Sequence, residues 1–473
     1  MIFNSITFLK FFIIVYSLYW ILRKNRNWQN YMLLFASCYF YMAFIPIYVL
    51  ILVFTIVIDY FAGIYLEKLH GRNRKWFLVA SLIANLGILA FFKYYNFLND
   101  NLMVMLGQFG YPDPIPHLNI ILPIGLSFHT FQAMNYTIEI YRGHQKAEHN
   151  FGIYALFVMF FPQLVAGPIE RAGNLLHQFT SDRKVDWEDV KISIFLIVWG
   201  YFLKVFVADN LADIVDKCFA VLSPKNSWDV VVGTYAFAFQ IFGDFAGYSS
   251  IAIGIARLMG FRLMTNFLYP YFVTNPSDFW KNCHISLSSW LRDYLYISLG
   301  GNRKGELKTY RNLFLTMVLG GLWHGAAWTF IIWGTYQGLI LIIHRFLSKK
   351  IDLKRFDHFR VIRILKIIFM FQFTCLGWLI FRANSLQQLI NYTKALFINV
   401  NYALSGEIIY YFKMILFYSS VVLFIQYIQR RTDNVFFIYR FPKFVQVSIY
   451  VLLLFIILTW GSFGSREFIY FQF

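Results

Sequence analysis

Residues 320–330 read "GGLWHGAAWTF" and lie between two apolar stretches, 313–319 and 330–343. Such runs read as membrane, where an imidazole is costly and rarely placed without a use. Everything about the fold follows from whether the rest of the chain supports a membrane at His324.

It does. Of 473 residues, 59% are hydrophobic, 21% aromatic and only 14% charged, and the mean hydropathy is +0.55. A soluble domain carries about a quarter charged residues. The 55 Phe and 32 Tyr suit lipid-facing surface and interfacial belts. The expectation is an all-α polytopic membrane protein, one membrane-embedded domain over residues 1–473.

A span needs about 20 apolar residues. Candidates fall at 7–22, 31–44, 47–66, 76–92, 118–138, 151–166, 192–208, 230–258, 326–346, 364–381, 408–427 and 444–460. The more polar stretches 278–299 and 312–322 are expected to be re-entrant or to lie in the membrane plane. The apolar run at 8–22 is followed by Arg23, Lys24 and Arg26 rather than preceded by charge, so it is expected to be a retained first span and not a signal peptide.

The net charge of +18 comes from 42 Lys and Arg against 24 Asp and Glu. Basic residues cluster in short loops at 23–27, 67–75 and 141–146, while 45–46 and 96–117 carry no Lys or Arg. That alternation places the basic loops in the cytoplasm and the N-terminus outside. It leaves no basic fold for nucleic acid. The four cysteines, Cys38, Cys218, Cys283 and Cys375, make no CxxC pair, so neither a zinc site nor a disulfide framework is expected. Walker, GxSxG, HExxH and dinucleotide-binding patterns are absent from the sequence, which removes the commoner nucleotide-hydrolysing and hydrolase readings.

The densest polar cluster is 275–305. Read as one helix, it puts His284, Ser288 and Arg292 on a stripe at spacing four, with Lys281 beside it. Phe279, Leu287, Leu291 and Leu295 form a separate apolar stripe. Two readings stand: an amphipathic helix flat in the interface, or a polar stripe lining a water-filled cavity. His324, with Trp323 before it and Gly320, Gly321 and Gly325 around it, is either a hydrogen-bonded core histidine or a proton-transfer group, since imidazole titrates near 6.5. Asp244 and Tyr248 sit in the apolar span "FGDFAGYSSIAIGIARLMGFR", 242–262. A carboxylate at that depth needs a partner, expected to be Arg292 or a histidine, and its role is structural or catalytic. The small residues around it indicate close helix packing. "FFPQLVAGPIERAG", 160–173, holds two prolines and the pair Glu170 and Arg171, and its bland reading is a helix end.

Taken together, "FFPQLVAGPIER", "DFAGYSSIAIGIARLMGFR", "FWKNCHISLSSWLRDYLYISLGGNRKG", "LGGLWHGAAWTFIIWG", "LGWLIFRANSL" at 376–386 and the ending "FIYFQF" resemble the membrane-bound O-acyltransferase family. The likeness is to its bacterial alginate O-acetyltransferase branch, with teichoic acid D-alanyl transfer more distant. The resemblance implies a ring of tilted helices around a central funnel and the transfer of an acyl group, acetyl first, from a cytoplasmic thioester. It implies His324 and His284 as catalytic residues, His324 as base and His284 orienting it or stabilising the oxyanion. Trp323, Lys281, Ser288, Arg292, Asp244 and Tyr248 are expected to line the substrate path. Acetyl-CoA or another acyl thioester is the expected donor, with no tightly bound cofactor and no metal. A secreted or periplasmic acyltransferase partner, a polysaccharide acceptor and the lipid bilayer of the inner membrane complete the expectation. This chain reads "DFAGYSS" where the branch commonly has "DFSGYSD", and "FWKNCHISLS" where it often has "FWRRWHISLS". Cys283 beside His284 raises the idea of an acyl-carrying thiol. A transporter or a non-catalytic scaffold of polysaccharide export are the rival classes.

Overall fold

The computed structural model describes residues 1–110, 116–165, 167–352, 355, 358–464 and 466–471. Ala166, at the end of the 151–166 span, and Gln472 and Phe473 of the C-terminal signature lie outside the described residues. Among the described residues the regular structure is helical throughout. Nine helices are long and apolar enough to cross a membrane, from Ile6–Lys24 to Lys443–Trp460. The protein is a multi-pass membrane protein.

The helices divide into two compact units. One comprises residues Met1–Val190 with Ile255–Met264, the other Lys191–Gly254 with Thr265–Phe473. In the first unit the chain corrects several expected spans. The 76–92 run is part of a single helix, Arg72–Gly107, because nothing in "NFLNDNLMVML" breaks helical pairing. The 118–138 run is helical only from Leu126: Pro123 and the left-handed Gly125, at φ 75°, end any helix before it. The 151–166 run is interrupted at Phe160, giving Phe151–Met159 and Phe161–Leu164, with Pro162 in the first turn of the second piece. The 31–44 run becomes Arg26–Met42, capped by the Asn25 side chain. Buried polar groups in this unit are satisfied locally. Asp59 accepts from Ser81 at 2.5 Å and from Asn85 at 2.8 Å. Glu170 accepts from the Asn174 amide at 2.6 Å and the Met264 N–H at 2.5 Å.

The second unit carries the cluster that the sequence singled out. The helix Ser227–Leu258, whose residues up to Gly254 belong to this unit, packs closely on the segment around Gly200 through small residues. A Cβ on Gly247 would lie 2.8 Å from the Gly200 carbonyl oxygen, so backbones touch where a side chain would hold them apart. Glu306–His324 is a 19-residue helix, longer than the 312–322 stretch expected to be re-entrant or in-plane. It runs into Trp328–Lys350, and a Cβ on Gly334 would collide with the Met317 carbonyl oxygen. This glycine-to-backbone contact clamps the hairpin whose bend carries His324.

The 278–299 stretch is not one helix. It folds as Pro276–Asn282, then Ile285–Trp290, then a π-helical turn Leu291–Tyr296. None of these pieces is long enough to cross a bilayer. The break falls at His284 itself, whose backbone is left-handed at φ 46° and ψ 53°, an uncommon state for a residue with a Cβ.

Candidate active site

The bend after Glu306–His324 and the break before Ile285–Trp290 bring the two histidines together. The imidazole centroids of His284 and His324 are 6.4 Å apart. Both rings line one cavity of about 20 Å³, walled by Ile241, Phe245, Phe267, Trp333, Phe381 and Tyr470 among others. That volume admits roughly one water. Trp333 and Trp323 each lie 5.0 Å from the His324 ring, Phe381 5.4 Å and Tyr470 5.7 Å. Phe245 packs edge-on to His284 at 4.5 Å. Among the described residues, no Asp, Glu, Lys or Arg lines this cavity.

His284 is 3% exposed and His324 5%. Burial lowers the His284 pKa to about 3, because a charged imidazole loses its hydration there. His284 is therefore neutral at physiological pH. The Asn266 side-chain oxygen lies 3.3 Å from His284 Nδ1. Burial pushes the neighbouring Cys283 thiol up, away from the thiolate an acyl-carrying cysteine would need.

Of the remaining sequence-predicted residues, Trp323 joins the histidines, while Lys281, Ser288, Arg292, Asp244 and Tyr248 do not. Trp323 packs against both rings, at 6.1 Å from His284. Lys281 points outward to Asp278 at 3.0 Å and Arg292 to Asp293 at 2.7 Å, with side chains 70% and 65% exposed. Ser288 donates to the Trp280 carbonyl oxygen at 2.7 Å. The polar stripe expected at spacing four is thus dispersed, because a left-handed residue at its first position rotates everything after it.

Asp244 has neither of its expected partners. Lys204 Nζ lies 2.8 Å from Asp244 and 2.8 Å from Asp209, all three deeply buried. Lys204 stands in a π-helical segment, Phe202–Ala208, a geometry frequent at functional positions. The second oxygen of Asp244 accepts the Ile469 N–H at 2.6 Å. Tyr248 lies under the Lys204 ammonium, 5.5 Å from its ring centre, and against Phe468 at 4.8 Å. This group borders a separate polar cavity of about 160 Å³, lined by Lys204, Asp209, Asp216, Gln240, Asp244 and Arg466 among others.

Sequence reading passed over Lys204, Asn266, Trp333, Phe381 and Tyr470. A signal existed for Lys204: a lysine inside the apolar run "IFLIVWGYFLKVFVA" must find carboxylates. A lone Asn266 in "MTNFLYPY" and aromatic residues in apolar helices carry no comparable mark.

Two buried imidazoles, that of His284 neutral, facing one apolar cavity suit proton transfer to or from a hydroxyl in a water-poor site. Comparison with known proteins gives the family. The profile of the membrane-bound O-acyltransferase family matches residues 127–387. The chain is 41% identical over 391 residues to the probable alginate O-acetylase AlgI of Pseudomonas aeruginosa, covering 82% of this chain and 73% of that protein. It is 35% identical over 401 residues to the peptidoglycan O-acetyltransferase of Helicobacter pylori, covering 79% and 74%. It is 28% identical over 284 residues to the teichoic acid D-alanyltransferase of Bacillus subtilis, covering 57% and 71%. The chain belongs to the membrane-bound O-acyltransferase family and is an acyltransferase of the membrane.

Proposed function

We propose that this protein moves an acetyl group from a cytoplasmic thioester, acetyl-CoA, through the inner membrane for O-acetylation of an extracytoplasmic polysaccharide. The observation that carries the reading is the pair of imidazoles, 6.4 Å apart, on one aromatic cavity. The acceptor hydroxyl oxygen attacks the thioester carbonyl carbon while its proton passes to His324. The C–S bond then breaks, and the leaving thiolate takes the proton back. His284 orients His324 or steadies the developing oxyanion. The N-terminus lies outside, as the basic loops at 23–27, 67–75 and 141–146 suggest. The polymer is reached through a secreted or periplasmic acyltransferase partner.

The named activities of the relatives support acetyl transfer to alginate- or peptidoglycan-like polymers. The teichoic acid relative favours a second reading, D-alanyl transfer, at lower identity. Mass spectrometry of surface glycans from cells with and without the protein separates these. O-acetyl groups that vanish with the protein support the first reading; unchanged O-acetylation with lost D-alanyl esters supports the second and defeats the first.

A further inference from the structure

His284 takes a backbone conformation that costs a residue with a Cβ energy, so something must hold it there. Asn266 does so with both its main chain and its side chain. The Ile285 N–H donates to the Asn266 carbonyl oxygen at 2.9 Å. The Ser286 N–H and hydroxyl donate to Asn266 Oδ1 at 3.2 Å and 2.9 Å. Asn266 Nδ2 donates to Ser249 Oγ at 2.9 Å. Asn266 is fully buried.

These bonds settle which end of the amide is oxygen. A backbone N–H only donates, so the atom facing Ser286 N is the acceptor Oδ1. The same oxygen faces His284 Nδ1 at 3.3 Å. An amide oxygen offers no proton, so Nδ1 supplies it, and in a neutral imidazole Nε2 is then the lone-pair nitrogen. Ser286 Oγ, 3.5 Å from Nδ1, has its own hydrogen directed to Asn266 and is compatible with the same tautomer.

We propose that Asn266 is a positioning residue that locks His284 in the tautomer with Nδ1 protonated, so that His284 meets the reaction as a hydrogen-bond acceptor through Nε2. The inference rests on the acyl-transfer reading above and selects between the two roles left open there. With its N–H given to Asn266, neutral His284 has no donor for an oxyanion. It orients instead, accepting from a water between the imidazoles while the acceptor hydroxyl gives its proton to His324. The other titratable groups on the cavity are His324, Cys283, Tyr271 and Tyr470. Asp244, one residue from Phe245, is engaged by Lys204, and Ser249 and Ser286 are neutral.

The test uses the full-length protein in nanodiscs with a polysaccharide acceptor, an alginate or peptidoglycan oligosaccharide, in excess, and release of CoA from acetyl-CoA as the readout. Asn266→Ala is expected to lower kcat about 10–100-fold, the usual cost of removing an orienting partner, with KM for acetyl-CoA within about twofold. Asn266→Asp keeps an acceptor for Nδ1–H but adds negative charge, which favours the imidazolium. Its activity is expected to be lost as pH falls through a raised His284 pKa, so the acid limb of kcat moves up by about one unit or more. A merely structural asparagine would change protein yield and leave that limb in place. Should Asn266→Ala not fold, Asn266→Asp and Ser286→Ala carry the same comparison. Wild-type turnover that His324→Ala abolishes, with kcat and acid limb unchanged in the Asn266 variants, overturns this inference alone. Wild-type protein that releases no CoA removes the acyl-transfer reading and this one with it.

Discussion

Two cavities of the second unit differ in almost every property. The one around His284 and His324 is small and aromatic, with no charged side chain in its wall among the described residues. The one around Lys204 is larger and lined by Asp209, Asp216, Asp244 and Arg466. Both hold buried polar groups where such groups are expensive. The charged group compensates its cost internally, one ammonium between two carboxylates at 2.8 Å each. His284 is held neutral instead, and neutrality leaves a lone pair for chemistry. The contrast teaches that a buried polar group is kept either by pairing charge with charge or by staying uncharged.

Breaking the charged side should have the largest effect on stability. Lys204→Met leaves two buried carboxylates facing each other and is expected to destabilise the protein by about 3–5 kcal/mol. A thermal melt in detergent reads this, and adding Asp209→Asn and Asp244→Asn should recover most of it. An unchanged melt would dissolve the distinction between the cavities. Next is the clamp behind His324. Gly334→Leu forces a side chain against the Met317 carbonyl and should cost about 1–3 kcal/mol, seen in the same melt together with reduced acyl transfer.

The neutral side is sharpened by pH. His284 has a folded pKa lowered to about 3 against an unfolded value near 6.5. The unfolded state therefore binds the proton first as pH drops. The stability from keeping His284 neutral is complete above pH 6.5 and is lost progressively down to about pH 3, at up to about 1.4 kcal/mol per pH unit. A His284→Asn variant should show a shallower loss across that window. The smallest effect belongs to the residues the structure turns outward. Lys281→Ala and Arg292→Ala should change stability by less than about 0.5 kcal/mol and leave acyl transfer within about twofold. A large loss in either would restore the polar-stripe reading.

Much of this was legible beforehand, for reasons particular residues make plain. Apolar length gives away Trp328–Lys350, Arg360–Arg382 and Lys443–Trp460, because a bilayer demands it. Of the glycines around His324, Gly321 sits where backbones touch, against the Phe330 carbonyl oxygen and Gly334, as close approach by glycine suggests. The pairing of His284 with His324 came from the family resemblance, not from spacing. Helical periodicity misled at 278–299, because it assumes right-handed backbone through His284. Asp244's partner was misjudged because Lys204 is 40 positions away (244 − 204), and sequence distance carries no mark of an ion pair. Asn266 was invisible for the same reason: its value lies in four hydrogen-bonding contacts that only the fold assembles.

The account stands on His324 as the base. The direct measurement is the rate of CoA release from acetyl-CoA by full-length protein in nanodiscs, wild type against His324→Gln, with both shown folded by the same melt. A loss of about 10²–10⁴-fold in kcat with an intact melt is the predicted result. A His324→Gln protein that melts normally and turns over at the wild-type rate would contradict it.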